Sequence, residues 1–216
     1  MKQTMIMAVI AVFAAMLLPT GSYAQEFTEK GNFMLGSAIG FSSNTSNIAQ
    51  GETTGEGPES FQWNVSPHIG YFLFDNFTLG IGLDYTFSRE KQPNEDKNDD
   101  SDLLFGPFGR FYVPFGGDKA VFVEGTFGFG TSSDDLIIGG ESQHISTDII
   151  AFGAGPGFTI FSNDAIGIET LFKYNFARSR FNTTVGGVAT ETTTKTNQFA
   201  ISLGIQFYFA GLRRAN

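Results

Sequence analysis

The chain has 216 residues, including 25 Phe, 27 Gly and no Cys, and its formal net charge is −9. One domain is the default at this length, which suits an all-β barrel or sandwich. The absence of Cys excludes disulfide frameworks, iron–sulfur clusters and thiol nucleophiles, and two His give little basis for a zinc site. The acidic balance disfavours nucleic acid as a partner, because neutralising phosphates requires clustered Lys and Arg. We expect no cofactor and no metal.

Residues 1–24 have the pattern of a secretory signal peptide. Lys2 supplies a basic start, an apolar run extends from Met5 to Leu18, and small residues follow at Ser22 and Ala24. The alternative is a transmembrane helix, but this run is shorter than the ~20 apolar residues that a helix needs to span a bilayer. The sequence therefore predicts a signal peptide that is cleaved after Ala24, and no later stretch offers enough consecutive apolar residues for a membrane helix.

From Phe33 to Phe209, large apolar residues recur at every second position, which is the period of a β-strand. There are eight such runs of about 9–13 residues, which match the ~10-residue alternating segments of transmembrane barrels. The mean strand in a soluble protein has only about 5–6 residues. The sequence predicts an all-β fold, an eight-stranded antiparallel up-and-down transmembrane β-barrel over residues 25–209, followed by a short periplasmic tail at 210–216.

The positions between the large apolar residues carry small or polar side chains, many of them Gly. All charged residues within the runs lie on this side. Lys or Arg facing lipid at mid-bilayer costs about 2–4 kcal/mol, so the segregation indicates that the apolar stripe meets lipid. A soluble sandwich or lipocalin also alternates, but its solvated face would carry more charge. Moreover, the interior of an eight-stranded barrel cannot hold about forty large apolar groups.

The connections between the runs alternate in length. Outer-membrane barrels have short periplasmic turns and longer external loops, so both termini are expected in the periplasm. Pro67, Pro107 and Pro156 lie inside runs, where each removes a ladder donor and predicts a local β-bulge. The predicted short turns are 74–76, 114–120 and 162–164, and the predicted long loops are 42–60, 88–102, 131–148 and 177–197.

The last run contains Ser202, Gly204, Phe207 and Phe209, which is a polar residue, then Gly, then two aromatic residues two positions apart. This pattern resembles the assembly signal that the outer-membrane assembly machinery reads. With residues 67–80 and 106–112, it makes the chain similar, between positions 33 and 209, to the OmpA/OmpX-like, porin-family-like eight-stranded outer-membrane β-barrels.

The resemblance implies a monomer in the cell outer membrane of a Gram-negative-type bacterium. Its partners would be outer-membrane lipids, lipopolysaccharide and the barrel assembly machinery. Full-length OmpA-type proteins also carry a peptidoglycan-binding domain, for which this chain has no room, so attachment to peptidoglycan is not expected.

The charged positions facing the lumen are the candidate site. If the turn at 114–120 is symmetric, Arg110 and Glu124 face each other across a hairpin and can form charge-assisted hydrogen bonds. One interpretation is a polar plug in a structural or surface-interaction (adhesion-like) protein. The alternative is a narrow porin or channel for small solutes or hydrophobic compounds. The predicted lumen polar network consists of Asp84, Arg110, Glu124, Glu169, Lys173 and His68.

No catalytic residue is predicted, and we expect the protein not to be an enzyme. Outer-membrane acyl hydrolases and transferases need an activated Ser or His, usually with an orienting carboxylate. His68 is expected to be structural, and His144 lies in a predicted loop. The segment 96–102 resembles the start of a calcium loop, yet Ser101 stands where Gly is needed and Pro107 where Glu should close the site. The long loops, including the Thr-rich stretch 182–196, are candidates to bind a host or extracellular ligand.

Overall fold

The computed structural model describes residues 26–50, 53–90, 98–138, 141–162, 165–185 and 188–211. The predicted signal peptide and the end of the tail at 212–216 lie outside these ranges. Eight antiparallel strands form a closed barrel in sequence order, with the last strand paired to the first, which confirms the predicted fold. The strands are β1 (Phe33–Gln50), β2 (Thr53–Phe74), β3 (Phe77–Glu90), β4 (Asn98–Phe115), β5 (Lys119–Ile138), β6 (Glu141–Phe161), β7 (Ile166–Val185) and β8 (Val188–Phe209).

The register of the strands gives the barrel its tilt. From Asp148 on β6, successive partners around the barrel lead back to Phe158, ten residues further along the same strand. A stagger of ten residues over eight strands spaced about 4.8 Å apart corresponds to a strand tilt of about 40°. The intermediate partners are Thr131, Leu103, Tyr85, Val65, Ile39, Leu203 and Thr170.

The outer face of the barrel is apolar. Phe199 and Leu203 on β8 are 71% and 61% exposed, and Ile168 on β7 is 62% exposed. Along β7 the outward apolar positions extend from Ile166 to Phe176, which at this tilt spans about 25 Å, the height of the apolar band of outer-membrane barrels. We call these outward-facing side chains the apolar belt. They include Phe33, Leu35, Ile39, Phe41, Trp63, Ile69, Leu79, Ile81, Leu83, Phe105, Phe111, Phe127, Phe129, Ile150, Phe152, Phe172, Ile201, Ile205 and Phe207.

Two further observations concern the outer face of β4 and the helices. Val113 has the outward parity of β4 but is buried, beside the short turn that ends its strand. Within the described ranges, no helix is both long enough and apolar enough to cross a membrane.

Most of the predicted long-loop segments are paired strands. On β5 and β6, the ladder continues from Thr131 and Asp148 to Ile138 and Glu141. The expectation of loops at 42–60, 88–102, 131–148 and 177–197 is therefore wrong for most of their length. The apolar stripe ends with the belt, but backbone pairing does not need apolar side chains and continues through polar residues. Residues 51–52, 91–97, 139–140 and 186–187, between the strands of these pairs, lie outside the described ranges.

The prediction of β-bulges at the three prolines is also wrong. Across Pro107, for example, Phe105 pairs with Phe129 and Phe108 with Thr126, so the ladder is interrupted but its register does not shift. Pro67 and Pro156 lie at similar gaps. An extra residue would move the following side chains to the other face of the sheet, and here the alternation continues through each proline. Register shifts occur instead between Thr45 and Asn47 and between Phe72 and Phe74.

Three short turns lie at the same end of the barrel as both ends of the strand sequence. At the β4–β5 turn, Gly116 and Gly117 have positive φ values of 65° and 91°, which glycine adopts without strain. Asn76 in the β2–β3 turn also has a positive φ, a conformation in which Asn is enriched. We call this end the short-turn end, and the opposite end the hairpin end.

Candidate functional site: the lumen

A buried ion-pair cluster crosses the lumen in the half nearer the short-turn end. Arg110 on β4 donates from Nε to Glu124 Oε2 on β5 at 2.5 Å and from Nη1 to Glu169 Oε2 on β7 at 2.7 Å. The three residues are only 3–5% exposed. A guanidinium can hold two carboxylates at once because its five donors are fixed in one plane. The cluster therefore ties strands on opposite sides of the barrel together.

Hydroxyl and sulfur groups complete the coordination of this cluster. Arg110 Nη1 also donates to Tyr112 Oη at 3.1 Å, and Tyr208 Oη donates to Glu169 Oε1 at 3.0 Å. The two tyrosine hydroxyls are 3.2 Å apart, and the sulfur of Met34 lies 3.2 Å from Tyr112 Oη. These contacts use donors and acceptors that would otherwise be buried without a partner, which costs about 1–3 kcal/mol per group.

Aromatic rings fill the space around the charges. The guanidinium carbon of Arg110 lies 4.6 Å from the centre of the Phe122 ring, within range of a cation–π interaction. Tyr112 packs on Phe122 and on Phe72, with centroid distances of 5.3 and 5.8 Å. We call the ion-pair cluster and these rings the floor of the lumen. The buried apolar cluster of the floor comprises Met34, Phe72, Phe108, Tyr112, Ala120, Phe122, Phe161, Leu171 and Tyr208.

Glycines on neighbouring strands make room for these rings. A Cβ atom at Gly157 on β6 would overlap the ring of Phe122, and one at Gly80 on β3 would lie 2.5 Å from Phe108 Cε1. Real Cβ atoms do not approach so closely. The inward-facing glycines thus give a narrow barrel enough space for large side chains.

The segment before β1 covers the short-turn end of the floor. The ring of Phe27 stacks on Phe161 at 5.4 Å and contacts Tyr208 at 6.1 Å. Thr28 is fully buried, and its hydroxyl donates to Asn76 Oδ1 at 2.6 Å while its carbonyl accepts from the Asn76 amide at 2.7 Å. Residues 27 and 28 therefore close the base of the barrel against the β2–β3 turn.

Above the floor, towards the hairpin end, lies a cavity of about 380 Å³. Asp84 on its wall accepts hydrogen bonds from Asn64 Nδ2 at 2.8 Å and from Thr86 Oγ1 at 3.2 Å. Lys173 Nζ on the opposite side lies 3.9 Å from Glu124 Oε1, and this is its only ion pair within the described part of the chain. We call this cavity the chamber. Its walls carry both polar and apolar side chains, and its base is formed by Arg110, Glu124, Phe108 and Leu171.

An amide network spans one side of the chamber. Gln198 Nε2 on β8 donates to Ser42 Oγ at 2.9 Å and to Gln62 Oε1 at 3.1 Å, and Gln198 Oε1 accepts from Asn175 Nδ2 at 3.0 Å. These bonds join the four successive strands β7, β8, β1 and β2. On this side the chamber is therefore lined by amides and hydroxyls together with Lys173, and Asp84 lies on the opposite wall.

No protein-family model matches the chain, and no curated protein matches it in sequence. Solved structures do match its fold. The crystal structure of outer membrane protein OprG from Pseudomonas aeruginosa has a TM-score of 0.50 and 13% identity, and covers 85% of this chain and 98% of that one. Neisserial surface protein A (NspA) matches with a TM-score of 0.46, 13% identity and coverage of 79% and 96%. The outer membrane protease OmpT from Escherichia coli matches with a TM-score of 0.47, 7% identity and coverage of 88% and 99%.

The chain has the fold of the outer-membrane β-barrels. At these identities the likeness concerns the fold alone. The expectation of no catalytic activity stays a prediction.

The structure of this outer-membrane-type barrel brings four of the six predicted network residues together. Arg110, Glu124 and Glu169 form the floor cluster, and Lys173 lies at its edge. Asp84 belongs to the separate group with Asn64 and Thr86. His68 Nδ1 donates to the Ser66 carbonyl oxygen at 2.9 Å, and the ring packs edge-on against Phe108. The role of these residues as a site stays a prediction.

The predicted assembly signal lies where β8 closes the barrel. Phe207 and Phe209 face outward and pair in register with Leu35 and Phe33 of β1. Ser202 and Gly204 face inward, and a Cβ atom at Gly204 would lie 3.1 Å from the Ser37 carbonyl oxygen. Whether the assembly machinery reads these residues is a prediction that the geometry does not test.

Sequence reasoning missed the aromatic part of the floor. Met34, Phe72, Tyr112, Phe122 and Tyr208 have the inward parity, against the small and polar pattern of that face. Their signal was available, because each is a large residue out of phase with the apolar stripe, and all lie near the predicted short turns or the barrel ends. Phe27 was missed because it precedes the first run.

Proposed function

We propose that this protein is a non-conducting outer-membrane barrel with a structural or surface-interaction role. The observation that carries the proposal is the floor. Arg110, Glu124 and Glu169 neutralise most of one another's charge while buried, and the surrounding rings leave the chamber without a route to the short-turn end. A pore would need a continuous polar path, which a 3%-exposed Arg110 between two carboxylates does not provide.

The proposal places the apolar belt in the outer membrane, in contact with outer-membrane lipids including lipopolysaccharide, with both termini in the periplasm. Its support is the height of the belt and the asymmetry between short turns and long hairpins. Between Ile150 and Glu141, β6 continues for about 30 Å of strand beyond the belt, so the hairpins extend well outside the lipid. These hairpins are the proposed surface for a host or extracellular ligand.

A planar-bilayer recording of the purified barrel tests the closed lumen. We expect no steady open state for the natural sequence. In the variant Phe72→Ala/Phe122→Ala, which removes two floor rings and keeps the ion pairs, we expect transient openings. The matched control is Phe105→Ala/Phe111→Ala, which removes two rings from the lipid-facing belt. A steady conductance of the natural protein would refute the proposal.

The surface role is tested by shortening one hairpin at a time and measuring binding to cells or matrix. Replacing residues 134–145 of the β5–β6 hairpin with a tight turn leaves the belt and the floor unchanged. Retained heat-modifiable gel mobility would show that the shortened barrel still folds. If no shortened but folded variant loses binding relative to the full hairpins, the surface-interaction role is wrong.

The alternative function is a narrow channel for small solutes or hydrophobic compounds. The chamber favours it, since it has the size of a small-ligand pocket. It would require the floor to open, so the bilayer recording also decides this alternative. We further propose that the barrel is not an enzyme, and expect no turnover of lipid A or phospholipid by the pure protein.

A further inference from the structure

Three basic side chains lie together on the outer face of the barrel, just beyond the belt at the hairpin end. Arg178 and Arg180 on β7 and Lys195 on β8 are exposed and have the outward parity of their strands. We call them the basic rim. In register, Arg178 lies directly opposite Lys195, and Arg180 lies opposite Asp148 on β6. With this aspartate included, the group carries two net positive charges in a chain whose total charge is −9.

The height of the basic rim matches the headgroup layer of a bilayer. Phe176 is the last apolar outward position of β7, and at a tilt of about 40° Arg178 and Arg180 lie about 5 and 10 Å beyond it. Headgroups occupy roughly 5–8 Å on each side of the hydrocarbon. Tyr174 marks the same boundary, because its ring packs on Phe199 at 4.9 Å while its hydroxyl donates to Asn197 Oδ1 at 2.6 Å.

The basic rim is compensated only at Arg180, which lies opposite Asp148 in register. Like charges directly opposite in a sheet destabilise it, and here Arg178 faces Lys195. Among the described side chains, no ion pair joins a carboxylate to any of the three basic groups. A bound anion between the two strands would remove this repulsion, since cross-strand side chains start only about 5 Å apart.

The excess of positive charge lies in one sector of the barrel. At the first outward position beyond the belt, β4 has Ser101 and β5 has Thr131, both uncharged, and Arg89 of β3 lies opposite Asp99 in register. A uniform attraction to solution anions would not require such a sector, nor its position against the hydrocarbon boundary. A lipid headgroup that carries phosphate accounts for both the sector and its position at the hydrocarbon boundary, because the acyl chains of the lipid would lie along the aromatic surface of β7 and β8.

We propose that the basic rim binds the phosphate groups of an outer-leaflet glycolipid of the lipid A type. A guanidinium and an ammonium on adjacent strands then share phosphate oxygens, and the arginines can do so with two parallel hydrogen bonds. The acyl chains pack below on Phe199, Tyr174 and Phe172. The inference rests on the proposed function only in placing the hairpin end at the outer leaflet.

The test counts bound lipid on the folded barrel in a nonionic detergent by native mass spectrometry. The probes are diphosphorylated lipid A, the same lipid with both phosphates removed, and inorganic phosphate as competitor. We expect saturable binding of the diphosphorylated lipid that weakens about tenfold in Arg178→Gln/Lys195→Gln and weakens further with added salt.

The matched control is Lys30→Gln/Lys119→Gln, which removes the same charge at the short-turn end and should leave binding unchanged. Heat-modifiable mobility confirms that each variant is folded. Equal losses in both double variants, or equal binding of the dephosphorylated lipid, would overturn the proposal. Displacement by millimolar inorganic phosphate would overturn the lipid as the source of the anion. A conducting barrel would refute the closed lumen without changing this titration, so the two failures are separable.

Discussion

The floor and the chamber lie in the same lumen, yet they handle charge in opposite ways. In the floor, Arg110 is buried against Glu124 and Glu169 and surrounded by rings. In the chamber, Asp84 has only neutral partners within the described region, Asn64 and Thr86, and remains partly exposed. We infer that a charged side chain in this lumen needs a counter-charge only where the rings exclude water. Burial, more than the presence of charge, should therefore decide how much each residue contributes to stability.

The largest expected effect follows from removing the central cation of the floor. Arg110→Met leaves two buried carboxylates without their partner, and we expect a loss of about 3–5 kcal/mol in the free energy of unfolding. Urea unfolding of the barrel in lipid vesicles, followed by gel mobility, measures it. A loss below about 1 kcal/mol would show that water reaches the carboxylates and that the floor is not sealed.

A companion variant separates the cost of unpaired charges from the value of the pairs. Arg110→Met/Glu124→Leu/Glu169→Leu removes all three charges together. Replacing a buried ionic group with apolar residues of similar volume is often neutral or stabilising. We therefore expect the triple variant to be more stable than Arg110→Met alone, and a further loss would mean that the ion pairs themselves stabilise the barrel.

The next effect concerns the space that glycine gives to the floor. Gly157→Ala places a methyl group inside the present position of the Phe122 ring, and forcing that ring aside should cost about 1–3 kcal/mol. The control is Gly125→Ala on β5, where nothing lies within 4 Å of the added atom, and which should change stability by less than about 0.5 kcal/mol. Equal effects in the two variants would show that the floor rings move freely.

The sequence was sufficient to predict the strands of the barrel but not all of the contacts inside it. The eight strands and their outward-facing apolar stripe were predictable, because an alternating pattern in which Phe faces one side and Gly the other fixes the parity of each strand and restricts its register. The pairing of Arg110 with Glu124 was predicted from a symmetric turn at 114–120. The contact between Arg110 and Glu169 did not, because it joins β4 to β7 across the lumen and depends on the ten-residue stagger.

The rings of the floor and the length of the strands were missed for different reasons. Phe122 and Tyr208 look like errors in a small and polar face until the glycines beside them are placed in space. The hairpins beyond the belt have no apolar stripe, so their pairing left no periodic signal in residues such as Thr194 and Thr196. In both cases the environment of a residue is decided by its neighbours in space, and the spacing of residues along the chain does not reveal these neighbours.

A smaller effect is expected at the boundary between floor and chamber. Lys173 is partly exposed, and its Nζ lies 3.9 Å from Glu124 Oε1, a longer contact than either arginine bond. Lys173→Met should therefore cost about 1 kcal/mol or less by the same urea titration, because partly solvated pairs contribute little. A loss of unfolding free energy as large as that of Arg110→Met would show that the chamber and the floor are one electrostatic unit, and would contradict the difference between them.

The smallest effect is expected where an ion pair lies wholly in water. In the β4–β5 turn, Lys119 Nζ lies 3.0 Å from Asp118 Oδ1, and its hydrogen bond lowers the pKa of this carboxyl below the ordinary 3.8. The stabilising contribution is therefore present above the ordinary pKa and is lost as the pH falls through the lowered one. Solvent screens the pair, so Asp118→Asn should leave the urea midpoint unchanged at neutral pH. The contact is only slightly longer than those of Arg110, so a clear shift would mean that contact geometry, and not the exclusion of water by the floor rings, sets the value of an ion pair in this barrel.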